Sequence, residues 1–423
     1  MSAKRVLLSE GSSLSARQAI TALGKAGYTI DICDPNPVCL GWCSNFVRRW
    51  YRCPALGLDP IGYLRFITDR VAGGDYDVLF PAHEQAFLFS RVRERLSRHV
   101  GLAVTEFEAF CRVQNKASCI QLVDELGMSQ PRTEIVRSAA ELAAPRAFPF
   151  YIKVEYGTAS ASVWRVDGPA ERSAVVARLH AVGLLDGTHQ LLVQEPAPGF
   201  VERAQAIFDM GRLVAWHGYK QGAVGLGGGD LFKVSVLRPA VRDEIARLGV
   251  HLSWHGALSV DYLFEEGTQA FSFIDFNARL VEPMNAWFAG VNLPDLWARI
   301  ALGEHIDPVP SGPDGVRTHM TLMALLDASR HRYPRVEVVR RLARALLGRG
   351  EFANSDEELT PVGMDRLSIL PLVTVAARLL LRPGAAVTMT SETVRSYSLS
   401  PEAARVIMDW DPDALPEAHL VSG

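Results

Sequence analysis

Two carboxylates, an amide and a guanidinium stand close together in the chain, at spacings that could hold a metal and a phosphate. Asp261 lies in the alternating run Ser259-Val260-Asp261-Tyr262-Leu263, and Asp275, Asn277 and Arg279 follow in Phe273-Ile274-Asp275-Phe276-Asn277-Ala278-Arg279. Residues two apart on a strand share a face, so the last three are expected side by side. Glu265-Glu266-Gly267-Thr268 between the runs has hairpin-turn composition. If the runs pair, Asp261 meets the Asp275–Asn277 edge. Two carboxylates and an amide oxygen form a hard oxygen site suited to Mg²⁺ (or Mn²⁺), which takes few protein ligands and keeps positions for water and phosphate. Arg279 can aim its planar fork at a phosphate oxygen.

The elements that must position these groups are readable from periodicity. Residues 5–9, 28–33 and 76–80 read as short buried strands, alternating with helical patterns at 16–26, 63–71 and from about 84. This is a small, parallel, doubly wound unit. The loop after its first strand lacks G-x-G-x-x-G, so a dinucleotide oxidoreductase is poorly supported. A helix is expected over 106–127. Strands are expected at 134–136, 150–154, 163–166, 190–195, 203–209, 213–219, 233–237, 257–264 and 270–275, with helices at 169–184 and 240–249. The middle of the chain is therefore α+β with antiparallel character. Breakers from Pro308 to Gly315 mark a linker, and the tail carries helical patterns at 336–347 and 367–381.

Composition excludes several partners. The chain has 423 residues, enough for two or three domains, and a formal net charge of −3. A nearly neutral balance offers no electrostatic case for nucleic acid. The longest apolar stretch, Leu367 to Leu381, is too short for a membrane span and contains Arg378. No signal-peptide pattern opens the chain, and a soluble cytoplasmic protein is expected. Of the six cysteines, only Cys39 and Cys43 have zinc-like spacing, so reduced thiols are the expected state.

The order of these features resembles the ATP-grasp superfamily of carboxylate ligases. Asp275-Phe276-Asn277-Ala278-Arg279 stands where that family carries an E-x-N-P-R-like motif, with Asp for Glu and Ala for Pro. Lys116 resembles the family's first nucleotide lysine, and Lys153 the second, on a strand entering the phosphate loop Gly157 to Ser162. Ser160 and Ser162 in that loop would face phosphate. Val193 to Gly199 resembles the adenine-contacting segment, which implies roles for Gln194, Glu195 and Ala197, with Glu202 as a candidate for the ribose. Lys220 and the glycine-rich run 225–229 read either as a mobile catalytic loop over the phosphates or as a turn. His83 and Glu84 either face the acceptor substrate or cap the following helix. Glu282 and Asn285, just past the metal motif, are candidates for substrate contact.

The resemblance covers about residues 1–305. It implies a Rossmann-like unit over 1–104, a two-subdomain ATP-grasp domain over 105–304 (about 105–190 and 191–304), and a mainly helical extension over 305–423. The implied activity is ATP-dependent joining of a carboxylate to an amine, often of an amino acid, through an acylphosphate. Asp261, Asp275 and Asn277 would hold Mg²⁺, and Lys153 and Arg279 would stabilise the charge that spreads during transfer. A carrier-protein thiol as acceptor, bicarbonate as the carboxylate, or a silent nucleotide-binding module are the rival readings. The extension is expected either to pack on the core or to form a homodimer face.

Overall fold

The computed structural model describes residues 3–157, 162–224, 230–330, 334–382 and 397–412. The first unit is a parallel sheet of β1 (Arg5–Leu8), β2 (Thr29–Asp34), β3 (Val47–Arg52) and β4 (Val78–Phe80), in the order β3-β2-β1-β4. Strand β3 was not expected from its sequence, because three arginines hide it. It is an edge strand, where charge is tolerated, and Arg48 at its start holds buried Asp31 at 2.6 and 2.9 Å. After β1 the helix Leu14–Lys25 begins with Ser13 as its cap. The Glu10 carboxylate accepts from the N–H groups of Ser12 (2.6 Å) and Ser13 (2.9 Å). Donors that would face a phosphate in a dinucleotide fold are thus already satisfied.

A second sheet is antiparallel, in the order β5 (Thr133–Val136), β8 (Leu191–Gln194), β6 (Phe150–Val154), β7 (Val163–Val166). The expected single helix over 106–127 is two helices, Phe107–Gln114 and Lys116–Glu125. Asn115 breaks it in an extended conformation, and its side chain accepts from the N–H groups of Ala117 (2.9 Å) and Ser118 (3.1 Å). The cap leaves Lys116 as the first residue of the second helix, facing the space between sheets.

The largest sheet has seven strands: β13 (Ala270–Asn277), β12 (Gly256–Glu265), β9 (Phe200–Asp209), β10 (Arg212–Val224), β11 (Asp230–Val236), β14 (Arg317–His319) and β15 (Asp356–Glu357), in that order. Strands β14 and β15 come from beyond residue 305, so sheet pairing crosses the expected boundary at 304/305. The reason is the open edge of β11, which β14 covers with Phe232 opposite His319 and Val234 opposite Arg317. One face of the sheet packs on the helix Pro239–His251 through Val241, Ile245 and Leu248. The lower part of the other face is covered by the helix Leu293–Ala301, whose Trp297 meets Phe80 of the first unit.

The tail helices Thr321–Arg330 and Ile369–Leu381 pack with Leu231 and Phe352 in a separate apolar cluster. They are tied to the first unit by buried charge. Arg17 lies 2.9 Å from Asp365, and neither side chain is exposed to solvent. Among the described residues, no helix is long and apolar enough to cross a membrane. Removing one member of a buried pair leaves an uncompensated charge. Asp365→Ala is expected to destabilise the protein by about 3–5 kcal/mol, read as a lower urea midpoint with the main-transition slope unchanged.

Candidate active site

The register of the large sheet sets Asp275 directly opposite Asp261, Asp261 opposite Arg203, and Arg203 opposite Tyr219. Residues opposite one another share a face, so one polar row crosses four strands. Asn277, Ser259, Gln205 and His217 form the next row in the same way. The two aspartates would repel if left alone. Arg203 lies 3.3 Å from Asp261 and also pairs with Asp230. Lys116 Nζ donates to Asp275.

Burial alone would raise the Asp275 carboxyl, but the Lys116 and Lys153 ammoniums hold it below the ordinary carboxylate range. Asp261 is pushed up by burial; Arg203 opposes the rise, and Asp275 and Asp230 add to it. Lys153 is buried on β6, and its ammonium donates to the Ile274 carbonyl at 2.8 Å. Burial pulls it down to about 8, with Asp275 opposing and Lys116 assisting.

A narrow slot separates the small sheet from β13. Its walls are Lys153, Leu192 and Gln194 on one side and Phe273 to Phe276 on the other, closed by Lys116, Cys119 and Ile120. The volume open to the centre of a water molecule is about 20 Å³. The buried Ser162 hydroxyl has no hydrogen-bond partner among the described residues, and a Cβ on Gly157 would stand 2.3 Å from its oxygen. Glycine there is what lets the loop's two ends approach. Ser160 and the run 225–229 lie outside the described residues.

Arg279 reaches away from the row, with Nε 3.3 Å from Glu84 and a terminal nitrogen 3.3 Å from the Asn277 amide oxygen. It thereby brings His83 and Glu84 of the first unit beside the Asp275–Asn277 edge. Glu282 pairs with Lys233 at 2.8 Å. Glu195 is exposed, 3.7 Å from Arg132, while Gln194 is buried against Thr133. Ala197 sits in the loop before β9, in partial contact with solvent.

Three expected positions differ. Glu202 is opposite Tyr262, on the other face of the sheet from Arg203, because adjacent residues alternate. Its oxygens accept from Arg238 at 2.7 and 2.9 Å and from Tyr262 at 2.9 Å. Lys220 is opposite Glu202 on that same face, 3.6 Å from Glu266, and does not reach the aspartates. Asn285 is wholly buried with both ends used: its oxygen meets His217 at 2.7 Å and its nitrogen donates to Thr318 at 2.7 Å. It ties the helix that carries it to strands β10 and β14.

Sequence reasoning missed Arg203, Asp230, Tyr219, Lys233 and Glu358. The signal was present as polar residues at period two inside apolar strands: Arg203 and Gln205, then His217, Tyr219 and Gln221, then Lys233 and Ser235. Lys233 is buried, 2.6 Å from Glu358, whose carboxyl burial raises to about 7. No such signal marks Glu358, which arrives with β15.

Asp261, Asp275 and Asn277 supply only two carboxylates and one amide; among the described residues no three His, Cys, Asp or Glu side chains cluster as a metal site. That donor set fits Mg²⁺, which is held by one or two carboxylates with phosphate and water completing its shell. Between pH 8 and 10.5 the unfolded chain holds a proton on Lys153 that the folded protein releases. Stability should therefore rise with pH through that window. In Lys153→Met the rise should vanish, and stability at pH 7 should increase by about 3 kcal/mol, less about 1–3 for the orphaned Ile274 carbonyl, both read from urea melts across pH.

No protein-family model matches the sequence, and no curated protein matches it. Solved structures do. A biotin carboxylase from Campylobacter jejuni, solved with a β,γ-ATP compound, is 15% identical, with 75% of this chain and 74% of that one aligned and a TM-score of 0.58. An L-amino acid ligase from Bacillus licheniformis is 14% identical over 71% of this chain and 74% of that one, with a TM-score of 0.55. A carboxyaminoimidazole ribonucleotide synthase from Aspergillus clavatus, complexed with ATP, is 11% identical over 75% and 82%, with a TM-score of 0.57. The three share one architecture, and this chain has it: the ATP-grasp fold.

Proposed function

We propose that the protein is an ATP-dependent ligase that joins a small carboxylate to an amine through an acylphosphate, with ATP and Mg²⁺ as its cofactors. The observation that carries this reading is the convergence of Lys116, Lys153 and Asp275 on the slot between the two sheets, with Asp261 opposite Asp275 on the neighbouring strand. Of the neighbours in fold, one is an L-amino acid ligase and another a carboxyaminoimidazole ribonucleotide synthase. The three-part organisation, with a Rossmann-like unit, a two-subdomain ATP-grasp domain and an extension, belongs to the same reading.

The adenine would enter the slot, with Gln194 and the backbone of 195–197 at its edge. Lys153 and Lys116 would neutralise the phosphates, and the Ser162 hydroxyl would donate to one of them. Lys116 would leave Asp275 for phosphate, freeing that carboxylate for the metal. Asp261, Asp275 and Asn277 would hold Mg²⁺, whose chemistry is to offset charge on the phosphate oxygens. A carboxylate oxygen attacks the γ-phosphorus and ADP leaves. The amine nitrogen then attacks the acyl carbon, phosphate leaves, and the nitrogen loses a proton. Arg279 stands between the row and the first unit, where the carboxylate would have to approach.

ADP release with Mg-ATP should require one acid plus one amine from a mixed panel, and bicarbonate belongs among the acids. Asp275→Ala should abolish turnover by a factor on the order of 10² or more. Lys153→Met should lose the thermal shift produced by Mg-ATP, whereas Lys220→Met should keep it. Neither turnover nor shift in the unaltered protein would sink the reading.

A further inference from the structure

The helix Lys116–Glu125 divides two spaces. Lys116, Cys119 and Ile120 face the slot, whereas Asn115 and Ser118 face a second cavity that shares no lining residue with it. About 400 Å³ of this cavity is open to the centre of a water molecule. Small-molecule sites run from about 300 to 1,000 Å³, so it has room for a metabolite-sized ligand. Three parts of the chain build most of it: the break between the helices Phe107–Gln114 and Lys116–Glu125, the segment 188–190 before β8, and the C-terminal helix Pro401–Asp409. That last helix is anchored by Ala403, Ala404 and Ile407, buried against the helices Pro60–Ala72 and Gln85–Arg91 of the first unit.

The lining offers donors. Its one carboxylate, Glu155, is already committed: its oxygens meet Asn115 Nδ2 at 3.2 Å and His189 Nδ1 at 3.1 Å. Arg405 donates to Thr188 Oγ1 at 3.2 Å and stands 3.5 Å from His189 Nε2. Asp186 acts on Arg405 through space, but its carboxylate accepts from the N–H and the hydroxyl of Thr188, at 2.9 and 2.7 Å. Arg137 follows β5 directly; with Val136 opposite Leu191, its backbone comes beside Gln190. Both guanidiniums thus reach the cavity at the 188–190 segment, and among the described residues neither is held in an ion pair. A guanidinium fork matches the geometry of a carboxylate or a phosphate. The apolar part of the wall is the buried Tyr156, whose hydroxyl donates to Met408 Sδ at 3.5 Å.

We propose that this cavity is a second ligand site, separate from the slot, for a small-molecule anion whose carboxylate or phosphate group is held by Arg137 and Arg405, with its less polar part against Tyr156 and Met408. The site goes beyond the ligase reading, because none of the lysines and aspartates of that reading lines it. It gives the C-terminal helix a role in binding, since Arg405 and Met408 are two of its walls.

The test is isothermal titration of the full chain, without Mg²⁺, with inorganic pyrophosphate and separately with citrate. An anion could also enter the slot beside Lys116 and Lys153, so each titration is repeated in Lys153→Met. The expected result is one binding event, kept within about twofold in Lys153→Met and weakened about tenfold or more in Arg405→Ala and in Arg137→Ala. Both arginines are exposed and belong to separate elements, so a fault in folding would not be common to the two variants. Arg405→Lys, which keeps the charge without the fork, should recover part of the loss. Binding of pyrophosphate alone would assign the site to a phosphate, and binding of citrate alone to a carboxylate; either result supports the proposal. Binding lost in Lys153→Met but unchanged in both arginine variants would place the anion in the slot and overturn it. Binding unchanged in all three variants, or no binding of either probe tighter than about 1 mM, would overturn it as well. The ligase reading stands or falls separately, on ADP release.

Discussion

Two aspartates placed directly opposite each other across an antiparallel pair repel, and much of the site is organised around that repulsion. Asp261 and Asp275 sit in register on β12 and β13. Each is held by a cation from a different part of the chain: Arg203 from the neighbouring strand, Lys116 from the start of a helix outside the sheet. A charge pair of this kind is stable only while its counter-ions stay in place. It therefore fixes the helix that carries Lys116 over the edge of the large sheet. Under the proposed function, a divalent cation and a polyphosphate would take over both sets of charges at once.

A similar logic joins the outer parts of the chain to the centre. Arg279 bridges Asn277 and Glu84, so the first unit is held against the Asp275–Asn277 edge. Lys233 pairs with Glu282 and with Glu358, which belongs to the segment beyond residue 305. Arg17 and Asp365 repeat the pattern on the far side. Buried pairs contribute little net stability compared with apolar packing, but each is costly to break. They therefore act as registration devices for segments far apart in sequence.

The small sheet and the large sheet meet at a slot that is nearly closed. Lys153 crosses it, donating from β6 to the Ile274 carbonyl of β13. Among the described residues this buried ammonium donates to that one carbonyl, and burial lowers its pKa, so under the proposed function a phosphate would stabilise its charge. Under the proposed function, nucleotide binding at this slot would relieve that charge.

Much of this was legible in the sequence. The alternation around Asp261 and Asp275 set the strands, the hairpin turn between them set their pairing, and the absent glycine fingerprint argued against a dinucleotide site. Asn115 was hidden inside an otherwise continuous helical pattern, because a capping asparagine and a solvent-facing one look alike until the backbone breaks. Glu202 was expected from the family resemblance and Lys220 from its place before a glycine-rich run, yet one step along a strand turns a side chain to the other face. Which face becomes a cleft depends on what covers the opposite one, here the helix Pro239–His251, and that is a long-range fact. Local periodicity alone determined that these strands and their acidic pair exist. The tertiary structure decided which cations neutralise them, which strand from beyond residue 305 closes the sheet, and that Arg405 returns to Thr188 and His189. Those choices rest on contacts between residues hundreds of positions apart, and a local pattern carries no record of them.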